Sequence, residues 1–291
     1  MIRSIRETCS GEIKKEFQPM LKDITIVVAT HKKSPMPTDE MYLPLHVGAA
    51  GKKNDDGTPL DFGYTRDDTG ENISIKNSNF GTQTGLYWLW KNVDSEYKGL
   101  VHYRRYFVGC HPDKKDMIGS VITHEEIKPM FGKYKIFAPK KRRYFIETLY
   151  SHYAHTHDEK HFQIVKKIIE KDCPEYLNAY NKVLKRRWGY MFNMMILQKD
   201  LMDDYCSWLF NILFKAFEQI DTTGLSAFDS RFCGRISEIL FDVWVENKIE
   251  TGRVKKDEIK ELPYMEDVDW SYKVKAFLSA KFLHKKYGRS S

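Results

Sequence analysis

Gly99–Phe107 reads "GLVHYRRYF": an apolar run, Leu100 and Val101, passes straight into a histidine, two adjacent arginines and three aromatic rings. The run has the character of the end of a buried strand. In open α/β sheets ligands bind outside the carboxyl ends of the strands, so charge released at this point marks a ligand crevice. With strand alternation continuing, His102 and Arg104 face one way and Arg105 the other. Arginine presents a planar, permanently charged fork that matches phosphate oxygens, and a pair of them at a strand end points to an anionic ligand.

Working outward, "ITIVVATHKK" (Ile24–Lys33) is a β-branched run of strand length that ends in Thr30 and His31, a first strand delivering polar groups to the same crevice. Residues 34–71 are rich in Pro, Gly, Asp and Lys and predict loops and turns with no long element. From Thr82 to Asn92 the apolar positions crowd too closely for a surface helix and predict a buried one. Thr123, with Glu126 three residues later, has the form of a capping box opening a helix within 120–133. Tyr134–Lys140 and Met191–Gln198 read as strands, and Glu147 to about Val183 as helical. "KDLMDDYCSWLFNILFKAFEQI" places Leu201, Tyr205, Leu209, Ile212 and Phe217 near helical spacing, and "GRISEILFDVWVENK" puts Ile236, Leu240, Val243 and Trp244 on one helix face. Strand, crevice, helix, strand and then a helical half describe an α/β chain of the nucleotide-binding kind. Neither GxGxxG nor GxxxxGK[ST] occurs, so phosphate binding must rely on side chains.

The 291 residues suffice for one large α/β domain, and 42% hydrophobic and 14% aromatic content supports a sizeable core. A net charge of +7 suits an anionic partner. Nucleic acid is disfavoured, because the tryptophans and tyrosines sit in apolar helical patterns and no recognition motif is present. No apolar run reaches the ~18–20 residues of a membrane span, and the N-terminus lacks a signal-peptide apolar centre. These features point to a cytoplasmic location. Five scattered cysteines without a CxxC pair indicate neither a zinc site nor a disulfide framework.

Several residues stand out for their chemistry. Asp67–Asp68 is an adjacent, DxD-like pair that would suit a divalent cation on a diphosphate, and reads equally as part of an Asx turn with Asn72 beyond it. "SHYAHTHDEKHF" offers His152, His155, His157 and His161; His157 and His161 have i, i+4 spacing, but the HExxH pattern and a third metal ligand are missing. Asn193 is an amide inside an apolar run and needs a partner, since leaving it unpaired costs about 1–3 kcal/mol. "DSRFCGRISEIL" gathers Asp229, Arg231, Arg235 and Glu238 near a helix start. Apolar surroundings would raise the Glu238 pKa toward that of a usable general base, and a salt bridge to Arg231 or Arg235 is the alternative.

With these residues laid out, the chain resembles a bacterial family first catalogued as a domain of unknown function and now treated as glycosyltransferases of capsule, exopolysaccharide and O-antigen synthesis. The resemblance runs from about residue 24 to 250. It is carried by "PLHVGAA", "DDTGENIS", "TGLYWLWKN", "GLVHYRRYF", "YMFNMMIL", "DYCSWLFNILF" and "FCGRISEIL", in that order. It implies a GT-A-like nucleotide-sugar-binding fold with a mixed, mostly parallel central sheet and a helical C-terminal half. It also implies transfer of galactose or galactofuranose from a UDP-sugar. The family usually carries an acidic residue just before its TxLYWxWKN element, where this chain reads Gly81-Thr82-Gln83, so the role of base falls to Glu238. A non-catalytic nucleotide- or carbohydrate-binding subunit of a polysaccharide assembly complex is the competing reading.

The resulting expectations are specific. Glu238 and Asp229 are the catalytic candidates. Thr30, His31, Asp67, Asp68, Asn72, Lys76, His102, Arg104 and Arg105 are donor-binding candidates, and His155, His157, Asn193 and Arg231 acceptor-binding ones. In GT-A enzymes the corresponding strand ends in a metal-holding DxD; here the arginines would replace the metal, so no cofactor is expected to be required, with Mn²⁺ or Mg²⁺ as the alternative. The partners expected are a UDP-sugar donor and a glycan acceptor on a lipid carrier. Residues 1–265 are expected to form one domain. Residues 266–291 form a basic tail in which Val274, Phe277, Leu278 and Phe282 would share a helix face suited to an anionic membrane.

Overall fold

The first apolar run is a strand, β1 (Lys22–Thr30), buried from Ile24 to Thr30. It can be apolar throughout because it is covered on both faces, as parallel strands of α/β proteins are. The structure is a computed structural model and describes residues 22–113 and 115–267; the tail from residue 268 lies outside the described residues. The remaining strands are β2 (Tyr42–His46), β3 (Thr65–Arg66), β4 (Ser95–His102), β5 (Arg105–Phe107), β6 (Ile136–Pro139), β7 (Arg142–Arg143), β8 (Trp188–Gly189), β9 (Met195–Gln198), β10 (Ile259–Leu262) and β11 (Tyr264–Glu266). The helices are α1 (Asn77–Phe80), α2 (Gln83–Asn92), α3 (His124–Ile127), α4 (Leu149–Thr156), α5 (Lys160–Asp172), α6 (Leu177–Leu184), α7 (Lys199–Gln219) and α8 (Phe232–Glu250).

The main sheet has the order β10-β6-β9-β4-β1-β2-β3. β1 pairs in parallel with β2 on one side and β4 on the other, with Val27 opposite both Leu43 and Leu100. The chain therefore leaves β1 toward one edge and returns on its other side, which makes the carboxyl ends of β1 and β4 a topological switch point. β9 runs against both β4 and β6; the other six strands of this path are parallel. This is the mixed, mostly parallel sheet expected from the sequence. Gly99 lets β4 fit between its neighbours, because a Cβ there would lie 2.8 Å from Ile196 Cγ1 and 3.1 Å from Ile26 Cγ1.

Two expectations about local structure are corrected. Residues 34–71 hold β2 and β3, and β2 is a buried-to-intermediate five-residue strand despite Pro44. The apolar run 191–198 is a strand only from Met195; Phe192 and Asn193 before it have φ of 78° and 52°. The helix expected within 120–133 is short, α3 followed by a 3₁₀ turn, but its Thr123–Glu126 capping box is formed.

The helical half packs around α8, most of whose residues are buried. Along α8, Glu238, Asp242, Glu246 and Glu250 recur every fourth residue. Glu246 is held by Arg186 and Lys182. Asp242 is fully buried: its Oδ2 accepts the Tyr190 amide at 2.9 Å, and its Oδ1 has no hydrogen-bond partner among the described residues. Burial pushes the Asp242 carboxyl from its ordinary 3.8 up to about 7. A raised carboxyl pKa means that the folded state binds the extra proton, so stability is greatest below the unfolded value and falls as pH rises through the folded one. We expect unfolding free energy to decline by up to about 4 kcal/mol between pH 4 and 8 from this group. Urea midpoints across that range for Asp242→Asn should lack this decline; parallel curves for the two proteins would refute it.

Candidate functional site

The strand that ends at His102 turns at once. Tyr103 and Arg104 form the turn, and β5 comes back antiparallel with Arg105 directly opposite His102. The expected alternation is thereby reversed: His102 and Arg105 share a face, and Arg104 parts from both. Arg104 instead joins the end of β1. His31 meets the Tyr103 ring edge-on at 5.4 Å, and the Lys32 ammonium and Arg104 guanidinium lie 5.3 and 5.2 Å from the centre of that ring. Desolvation and the charges of Arg104, Arg231 and Lys32 push the His31 pKa down. Tyr103 is thus the platform on which the cations of this sheet edge collect.

On the other side of the turn, Arg105 donates through Nε to Glu266 Oε2 at 3.0 Å and lies 4.7 Å from the Phe192 ring centre. His102 Nε2 donates to the Phe192 carbonyl at 2.8 Å, and burial with the charge of Arg105 pushes its pKa to about 3. His102 is therefore neutral. Phe192 is a bulky residue in left-handed backbone, which costs about 1–3 kcal/mol and persists only where surroundings enforce it. Here they do: Asn193 Nδ2 donates to Gly234 O at 2.7 Å, Ser237 Oγ donates to Asn193 Oδ1 at 3.0 Å, and the Tyr190 amide is held by Asp242. The kink is pinned to α8 at both ends.

Beyond Phe192 a cleft of about 210 Å³ opens between α4, α8 and the β7–β8 ribbon. Glu238 lies in its wall with Arg142, His157 and Arg235. Burial raises the Glu238 pKa, while Arg105, Arg142, the Phe192 amide and Arg235 oppose the rise. Arg235 stacks 3.9 Å from the Phe228 ring centre and donates through Nη1 to His157 Nδ1 at 3.2 Å. Arg142 lies over the Tyr144 and Phe192 rings at 5.2 and 5.8 Å, and its guanidinium has no hydrogen-bond acceptor among the described residues. A half-buried carboxyl ringed by guanidinium groups can accept a proton from a hydroxyl while the cations stabilise a developing negative charge.

The expected residues divide sharply. His31 and Arg104 gather at one end, His102, Arg105, His157 and Glu238 at the other. Arg231, expected toward the acceptor, lies between them, its charge acting on His31 and on Arg235 of the cleft wall. Asp67 is corrected outright: it is fully buried, and its carboxylate accepts the Gly48 and Ala49 amides at 2.8 and 3.0 Å, the Thr84 hydroxyl at 2.7 Å and the Ser74 hydroxyl. Asp68 is held bidentately by Arg66 at 2.7 and 3.0 Å, and Asn72 closes a local turn with Gly70 and Ser74. Thr30 is buried, its hydroxyl turned onto the Lys32 carbonyl. Lys76 lies over Phe217, and His155 is exposed on Glu147, which His152 shares. Asp229 accepts from Ser226 in a local turn rather than lining the cleft. Asn193 has its whole amide committed to α8. Gln83, where the resemblance puts an acid, is fully buried in the first turn of α2. No group of three or more His, Cys, Asp or Glu suited to a metal occurs among the described residues.

Sequence reasoning missed Arg142 and Phe192. Arg142 had a signal: "RRYF" occurs twice, at 104–107 and at 142–145, and both copies bring an arginine to Phe192. Nothing in the sequence marks the backbone of Phe192.

The profile of a protein family described as a domain of unknown function (DUF4422) matches residues 25–249. The chain belongs to that family. This DUF4422 chain is also similar to a solved structure titled "WbbM bifunctional glycosytransferase apo structure", with a TM-score of 0.74, 29% identity and 85% of this chain covered. The chain spans 46% of that longer one. Among curated proteins none matches. The sheet order and this likeness make the DUF4422 fold a GT-A-like α/β fold.

Proposed function

We propose that the protein is a glycosyltransferase that moves a hexose, galactose or galactofuranose in keeping with the sequence resemblance, from a UDP-sugar to a glycan hydroxyl in bacterial capsule, exopolysaccharide or O-antigen synthesis. The observation that carries this reading is the distribution of charge across the β4–β5 turn: His31, Lys32 and Arg104 gather about the Tyr103 ring on one side, and the Glu238 carboxyl lies among cations on the Arg105 side. The diphosphate of the donor would lie against Arg104, Lys32 and Arg231, and the acceptor would enter the cleft beside Glu238. In the transfer, the acceptor oxygen bonds to the anomeric carbon as the bond from that carbon to the diphosphate breaks. The hydroxyl proton passes to Glu238, and the electron pair leaves on the diphosphate, whose charge the arginines take up. No metal is needed for that step, so turnover should survive EDTA. A lipid-linked acceptor would place the enzyme peripherally on the inner face of the plasma membrane.

Purified protein with a panel of UDP-sugars and a glycan acceptor tests this through acceptor-dependent UDP release. Arg104→Ala is expected to lower kcat/KM roughly 30- to 1000-fold, equivalent to about 2–4 kcal/mol of transition-state stabilisation. Near-normal turnover in that variant, or a requirement for Mn²⁺, would overturn the assignment of leaving-group stabilisation to Arg104.

A further inference from the structure

Two large apolar side chains stand side by side in solvent at one place on the described surface. Phe145 is 81% exposed and Ile146 63%. They form the tip of the loop from β7 to α4, whose two ends also form the wall of the Glu238 cleft: Arg142 and Tyr144 before the tip, Leu149 after it. The tip is a built feature. The Tyr144 amide donates to Arg187 O at 2.7 Å, the Glu147 amide to Tyr144 O at 3.1 Å, and Thr148 caps α4. Arg187 Nη1 donates to the Phe145 carbonyl at 3.4 Å.

The exposed charge beside the tip is mainly positive. Arg143, Lys185 and Arg187 are exposed, and none has an acidic partner among the described residues. Glu147, the loop's carboxylate, is already shared by His152 and His155 at 2.8 and 2.9 Å.

We infer that this loop is a membrane-contact element: Phe145 and Ile146 enter the headgroup layer of an anionic bilayer while Arg143, Lys185 and Arg187 meet its phosphates. The shape favours lipid over protein. A stable protein interface needs about 800 Å² per partner, whereas a convex tip of two apolar residues ringed by cations matches an interfacial anchor, with basic side chains reaching the headgroups around an apolar wedge. The inference deepens the proposed function and rests on it for its meaning, because the cleft would then open where a lipid-linked acceptor is presented.

Flotation of the full chain at physiological salt with phosphatidylglycerol-containing and with pure phosphatidylcholine vesicles tests it without any turnover. The wild-type protein should float with the anionic vesicles, and Phe145→Ser/Ile146→Ser should weaken that binding at least tenfold. Ile75→Ser removes an equally exposed apolar group elsewhere, 77% exposed, and should leave it unchanged. Thermal melts confirm that the variants are folded. Undiminished binding by the double variant would overturn the inference and leave the vesicles to another face, and so would a wild-type protein that ignores anionic lipid. A drop in turnover on a soluble acceptor equal to that on a lipid-linked one would overturn it too, since the tip would then hold sugar. Tip-dependent vesicle binding by a protein that transfers no sugar would remove the proposed function and leave the membrane contact standing.

Discussion

Glu238→Gln is expected to lower kcat for glycosyl transfer by about 10²–10⁴-fold, the range that a positioned general base supplies, while donor binding stays close to wild type. The amide keeps the size of the side chain, so the cleft should survive the change. It cannot take the acceptor proton. As the base of the proposed reaction, the same group would set the acid limb of the pH profile. Burial raises the Glu238 pKa above its ordinary value, and only the ionised form is a base, so the wild-type rate should fall as pH drops through that raised pKa. The glutamine variant should keep a small residual rate without this limb. Titration of UDP binding beside initial rates separates the two effects. Full activity in the variant would move the proton acceptor to His157, which lines the same cleft.

Asp67→Ala is expected to destabilise the fold by about 3–5 kcal/mol, because each buried donor left without its acceptor costs about 1–3 kcal/mol. Two backbone amides and two hydroxyls converge on this carboxylate, and each would be left facing a void. At roughly 2–4 °C per kcal/mol for a domain of this size, the melting temperature should drop by about 10 °C. Activity per folded molecule at low temperature should hold. A variant that melts like wild type but has lost donor binding would return Asp67 to the donor site and reopen the metal reading of the pair.

The contrast between these two acids shows what a sequence can and cannot convey. Glu238 stood out because Ile236, Ile239 and Leu240 flank it in the sequence, although helical spacing alone sets it away from the face of Ile236, Leu240 and Val243. Asp67 lies in a stretch with no period, so adjacency to Asp68 was the only cue, and adjacency does not reveal that four donors wait in the folded chain. β1 was plain as a β-branched run, and the end of β4 as the apolar pair Leu100 and Val101. β2 was hidden by Pro44, which it tolerates because β3 pairs only with Leu45 and His46. The Tyr103–Arg104 turn has no Gly, Asn or Pro to announce it, and this silence is why Arg104 and Arg105 were assigned to the wrong sides. The kink at Phe192–Asn193 was concealed by burial itself, because an apolar run of that length looks the same as strand or as irregular core.

The two last strands have a practical consequence. β10 pairs with β6 and β11 with β5, yet both lie past residue 249, where the family match stops. A chain trimmed to that match would carry an open backbone edge along β6, the kind of edge that recruits a second copy into intermolecular pairing. It would also strip Arg105 of Glu266, its carboxylate partner at 3.0 Å. The sheet of this chain therefore runs on past the stretch that the family profile matches, and Asp267 beyond it still bonds the Arg104 carbonyl through its amide at 2.9 Å.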